Sequence, residues 1–210
     1  MNYLSHYYID RAWASKEFGL GTLLVDLCRM RGKGFRLRPL AERKALDLSL
    51  LEVDAGVKRH YAVDAWWHNC KAFGQMRALF KAAVVAEGLV LERGSFLSHI
   101  GVEMLLDRQL MAAYPGLEPE FFELMNSQNK GLATEYLKEE NTEWVILFEA
   151  EWEAFRNRRF LRDYADLEHF SQIVAGIYAH VTKDRLEWGA VKRVIERLEK
   201  GQPNLLAELF

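Results

Sequence analysis

His60, Asp64 and His68 stand four residues apart in a segment whose apolar residues recur with helical spacing. Each step of four turns about 40° past a full helical turn, so the three stay on one helix face. His99, Glu103 and Asp107 form a second ladder of the same kind. Neutral imidazole and carboxylate together suit a divalent ion such as Mn²⁺, Fe²⁺, Zn²⁺ or Mg²⁺. The same spacing also serves surface ion pairs, so each ladder alone leaves both readings open.

Asp26 is the more telling acid. It sits in Leu23-Leu24-Val25-Asp26-Leu27, where nearly every neighbour is apolar. A carboxylate on a buried helix is costly unless it is paired or bound to a cation. His6, in Tyr3-Leu4-Ser5-His6-Tyr7-Tyr8, is embedded among aromatic residues. A lone histidine there is commonly a satisfied core residue. Embedded polar groups from several helices are explained together if they meet, as in helix-bundle metal sites. Other site types lack their signatures: there is no GxxxxGK[ST] loop, no GxGxxG and no GxSxG elbow. Cys70 is two residues from His68 and so faces elsewhere on a helix, which makes it a packing residue. Trp66, Trp67, Trp144 and Trp152 read most simply as core.

The elements that must position these groups are helical. The i, i+3, i+4, i+7 spacing recurs almost everywhere, and strict alternation hardly occurs. Ser15 precedes a helix through EFGLGTLLVDLCRM; further helices run from about Leu50 to Cys70 and from Ala72 to Glu87. GLVLERGS reads as a loop, with Ser95 a candidate cap for FLSHIGVEMLLDRQLMAA. Pro119 is placed to open a helix at its first turn. Asn141 is a candidate cap for a helix through Trp144 and Phe155. A last pair covers Leu167 to Val181 and Glu187 to Lys200, stopped by Gly201 and Pro203. With no strand runs, the layers are helix on helix. The expected fold is an all-α bundle, one domain over 1–210.

The chain has 210 residues, half of them hydrophobic, and a net charge of -2. That charge argues against a general nucleic-acid binder. No stretch approaches the ~18 uninterrupted apolar residues of a membrane span. Two cysteines make no disulfide framework, so the expected setting is reducing and cytoplasmic. The charge is uneven: Arg29, Arg31, Lys33, Arg36, Arg38, Arg43 and Lys44 face only Glu42 in their stretch. The stretch is either a solvated face or a docking patch for an acidic or phosphorylated partner.

These residues carry a family resemblance. Met1-Asn2-Tyr3-Leu4-Ser5-His6, then Gly21-Thr22-Leu23-Leu24-Val25-Asp26, resembles the MNFLAH and GNLL-x-D opening of the acyl carrier protein phosphodiesterase family, with Arg29 as its following basic residue. Gly56-Val57-Lys58-Arg59-His60-Tyr61-Ala62-Val63-Asp64 resembles the motif GI-x-x-HRRID. Val102 to Leu110 resembles LDV-x-x-DHFL, and Leu161, Tyr164, Phe170 and Gly176 fall at the family's C-terminal spacing. The resemblance implies an all-α fold like that of the His-Asp metal-dependent phosphohydrolases. It implies hydrolysis of the phosphodiester between 4'-phosphopantetheine and the serine of holo-acyl carrier protein, usually with Mn²⁺. The implied metal ligands or water-orienting groups are His6, Asp26, His60, Asp64 and Asp107, with Asp26, His60 and Asp64 catalytic. Arg29, Arg31, Lys33, Arg36 and Arg38 would meet the acidic carrier protein.

The chain also departs from the pattern. His68 stands where the family has an acid, Glu103 replaces an aspartate, Arg108 replaces a histidine, and Tyr61-Ala62 replaces a basic pair. Three readings stay open: the carrier-protein phosphodiesterase, a phosphohydrolase of another small phosphate ester, and a binding protein whose site has decayed.

Overall fold

The expected helices form, and local chemistry sets their ends. The computed structural model describes residues 1–12, 14–29, 36–40, 47–128, 130–140, 142–201 and 205–208. Among these, every regular element is helical: α1 (Tyr3–Asp10), α2 (Lys16–Arg29), α3 (Leu48–Asn69), α4 (Lys71–Ala86), α5 (Gly94–Ala113), α6 (Leu117–Ser127), α7 (Lys130–Glu140), α8 (Thr142–Arg158), α9 (Leu167–Thr182) and α10 (Trp188–Gly201), with short 3₁₀ segments at Phe160–Tyr164 and Leu205–Glu208. The fold class is therefore all-α. Among the described residues no helix is long and apolar enough to cross a membrane.

Ser15 caps α2 by accepting the Phe18 N–H at 3.1 Å, and Asp166 caps α9 by accepting that of His169 at 2.8 Å. Cys70 is a cap as well: its sulfur accepts from Phe73 N at the start of α4. Ser95 is not the cap of α5, which begins a residue earlier behind Arg93; the Ser95 carbonyl instead accepts from Ser98 Oγ. Pro119 lies in the first turn of α6, where its missing N–H costs nothing. The caps or stops assigned to Asn141 and Pro203 lie outside the described residues, as does the side chain of Trp144. Trp67 and Trp152 are fully buried, but Trp66 is 46% exposed and is not core.

The chain divides into two compact units, each built from two stretches: Met1–Trp66 with Gly116–Phe160, and Trp67–Pro115 with Leu161–Phe210. The first is centred on an aromatic core in which Phe155 meets Tyr3, Phe121, Phe122 and Phe160 at ring-centroid distances of 4.7 to 6.1 Å. The second packs α4 on α5, where Gly101 lets the Phe80 ring lie on the helix backbone. There Arg108 donates to Glu199 Oε1 at 2.8 Å and to the carbonyls of Tyr164 and Ala165. Arg108 thus ties α5 to α10 and to the turn that precedes α9.

Asp54 on α3 is a buried anchor in the first unit. It accepts from Leu40 N at 2.6 Å and Tyr136 Oη at 2.7 Å, and pairs with Lys58 at 2.8 Å. Burial pushes its carboxyl up, but Lys58, Tyr136 and Leu40 together hold it below the usual range. A lowered folded value stabilises above the unfolded pKa of ~3.9 and loses that contribution as pH falls through the folded value. Asp54→Asn should cost about 2 kcal/mol at pH 7 in a urea titration. The gap between the two proteins should shrink on acidification below pH ~4.

Candidate metal centre

The site begins with two glycines. A Cβ on Gly21 of α2 would overlap the Val53 carbonyl oxygen, and one on Gly56 of α3 would overlap that of Phe18. The two helices therefore cross in backbone contact, which only glycine permits here. His60 lies one turn beyond Gly56, and Asp26 one turn beyond Thr22. At this crossing His60 Nδ1 reaches Thr22 O at 2.9 Å. A carbonyl only accepts, so Nδ1 carries the hydrogen; in the neutral tautomer with that hydrogen, the lone pair is on Nε2. A backbone carbonyl holding the far nitrogen in this way is the usual support of a metal-binding histidine.

α1 brings His6 to the same place. Its ring stacks on that of His60 with centroids 4.0 Å apart and planes 20° apart. One donor atom from each of His6, Asp26 and His60 lies within 4.8 Å of the others, a group suited to hold a metal ion. The Nε2 atoms of His6 and His60 are buried without a hydrogen-bond partner, which is costly for polar atoms unless something binds them. Burial, then the charge of His60, pushes the His6 imidazole down to about 3 despite Asp64. His6 is therefore neutral at physiological pH, the form a metal takes.

The acids differ in role. The Asp26 side chain is 14% exposed, with Oδ1 3.7 Å from His60 Nε2 and 3.6 Å from Arg29. Burial raises its carboxyl above the usual range, against the pull of His60. Asp64 faces both imidazoles, at 3.2 Å from His6 and 3.6 Å from His60, and the His6 separation lacks hydrogen-bond angles. Its oxygens are also engaged by the Met1 ammonium at 2.7 Å and by Arg29 at 3.5 Å. Burial opposes its charge, and His6, His60 and the ammonium hold the carboxyl far below the usual range. Asp64 is thus a neutralised neighbour of the His6–Asp26–His60 group. A cavity of about 80 Å³ touches His6 and Thr22 on the side of Asp10, Arg11, Ser15 and Phe18; Asp26, His60 and Asp64 do not line it.

Arg29, grouped with a docking patch by its sequence position, has its guanidinium between Asp26 and Asp64, while 43% of the side chain stays exposed. Asp107 is fully buried on α5, in the second unit. His68 is not part of the His60–Asp64 group: it meets Glu103 and His99 in the second unit. Among the docking residues, Arg36 and Arg38 are exposed, while Arg31, Lys33, Arg43 and Lys44 lie outside the described residues. Cys28 is buried, and burial, then Asp26, pushes its thiol up to about 12, so it takes no part as a nucleophile. Sequence reasoning missed the Thr22 carbonyl and the Met1 amine, since neither carries a side-chain signal.

No protein-family model, no curated protein and no solved structure matches the chain.

Proposed function

We propose that the chain is a divalent-metal-dependent phosphodiesterase, with holo-acyl carrier protein as its substrate. One observation carries the reading: His60 has its Nδ1 fixed on Thr22 O and its buried, unpartnered Nε2 aimed at Asp26, beside the unpartnered Nε2 of His6. His6, Asp26 and His60 would hold the ion. When bound, the ion supplies positive charge to the phosphate oxygens and acidifies water. Manganese is the metal the family resemblance implies, and an imidazole and carboxylate set accepts it.

The chain's own groups divide the remaining work. Asp64 has one oxygen towards each imidazole and is placed to orient an attacking water. Arg29, its side chain 43% exposed, has its guanidinium at the acids and would meet a phosphate oxygen there. In the reaction, water attacks phosphorus, the bond to the serine oxygen breaks, and that oxygen takes a proton. The carrier's serine and free phosphopantetheine result.

The test is incubation of the purified protein with holo-acyl carrier protein and Mn²⁺, following phosphopantetheine release by mass. Hydrolysis of bis(p-nitrophenyl) phosphate without that release would move the substrate to a small ester. Metal binding without either reaction would favour the binding protein. Arg36→Glu with Arg38→Glu is expected to slow carrier association roughly tenfold at low salt, with the difference shrinking as salt rises. Equal association rates by surface plasmon resonance would remove the basic segment from docking.

A further inference from the structure

The second unit contains a histidine and carboxylate group that the reaction above does not use. We propose that His68, His99 and Glu103 form a second, independent site for a divalent transition metal of the zinc and cobalt class. His68 lies in the last turn of α3, and His99 and Glu103 lie one turn apart on α5. Nε2 of His68 is 2.9 Å from Glu103 Oε1, and Nε2 of His99 is 3.1 Å from the same oxygen. One donor atom from each of the three lies within 4.8 Å of the others. Both rings are held from α4 by Phe73, whose centroid is 5.0 Å from that of His68 and 5.2 Å from that of His99.

As a purely structural arrangement, the same set is two ring nitrogens on one carboxylate oxygen. One imidazole is enough to pair a carboxylate. Here a second imidazole lies beside the first, with ring centroids 4.6 Å apart. Nε2 of each ring turns to the same Glu103 oxygen, so the three donor atoms converge on one point; a cation there would take the place of the hydrogen bond from His68 to Glu103. Two nitrogens and one carboxylate are the protein ligands of a zinc site that keeps its fourth position for water. The imidazole side chains are 32% and 33% exposed and Glu103 is 15% exposed, so the ion would have an entry path and room for that water.

The experiment is calorimetric titration of the metal-free full chain with Zn²⁺, repeated with Co²⁺ to read the visible absorption of its ligand set. The wild type should take up two equivalents. Glu103→Gln and His99→Ala should each weaken one of these at least ~100-fold, and Asp26→Asn should weaken the other. Two measurements guard against misfolding: metal-free melting of each variant, and His99→Asn, which changes a part-exposed ring tip only. Zn²⁺ isotherms of Glu103→Gln, His99→Ala and His99→Asn that match the wild type overturn the proposal, as does a wild type that binds no Zn²⁺. A single equivalent lost only in Asp26→Asn also overturns it and leaves the first site standing. A single equivalent lost only in the Glu103 and His99 variants supports it and removes the first site.

Discussion

Asp26→Asn is expected to leave the metal-free protein folded and to cut metal affinity at the first site at least ~100-fold, with phosphodiester hydrolysis falling alongside. The carboxyl is held above its ordinary range by burial, so its charge is a cost when no cation is bound. The amide keeps the shape and removes that cost, and the metal-free melting temperature should stay level or rise. Mn²⁺ added to the wild type should raise its melting temperature by mass action, and the variant should respond less, since it lacks the contribution of the first site. The alternative is that Asp26 serves only to pair with Arg29 or His60, its neighbours at 3.6 and 3.7 Å. In that case Asp26→Asn melts lower and binds metal as the wild type does. Melting both proteins with and without Mn²⁺ separates the two outcomes.

Gly56→Ala should destabilise the protein by about 3 kcal/mol and abolish the first site. Alanine favours the helix over glycine by ~1 kcal/mol, so the packing penalty must exceed that gain. It does so here because the new methyl would overlap the Phe18 carbonyl and lie 2.9 Å from both Gly21 Cα and Thr22 N, all of them backbone atoms. Moving α2 away would also break the bond from His60 Nδ1 to Thr22 O, which fixes the ring. Gly176→Ala on α9 is the control. Nothing lies within 4 Å of its Cβ position, so that change should stabilise by up to ~1 kcal/mol. If Gly56→Ala proves as harmless as Gly176→Ala in chemical denaturation, the backbone contact of α2 and α3 does not set the site.

The helices were readable where one side of the chain is apolar and the other wet. α10 shows this best, burying Ala190, Val191, Val194, Ile195 and Leu198 along one stripe. α1 was not legible in this way. Tyr3, Leu4, Ser5, His6, Tyr8 and Asp10 are all buried, so the segment has little contrast between faces. α7 does carry a stripe of Leu132, Ala133, Tyr136 and Leu137, but over only 11 residues that begin with Lys130 and Gly131. In the site, the embedded polar residues His6 and Asp26 were found by their improbable surroundings, and His60 with Asp64 by spacing. The spacing argument failed at its third member. Two steps of four drift about 80° around a helix, and His68 turns to a different set of partners. The crossing that joins α2 to α3 depends on what a side chain at Gly21 or Gly56 would strike, and that is a property of the packed pair rather than of either segment.

The segment 36–40 is held from beneath at two points. Tyr61 Oη donates to the Leu37 carbonyl, and Asp54 accepts from Leu40 N. Leu37 and Leu40 are buried, while Arg36 and Arg38 on either side of Leu37 are exposed. Fixing a residue's backbone forfeits about 1–2 kcal/mol of conformational entropy. For these two arginines the loss falls at folding rather than at encounter. An acidic partner that engages them meets guanidinium groups on a backbone already in place, and only side-chain freedom remains to be given up.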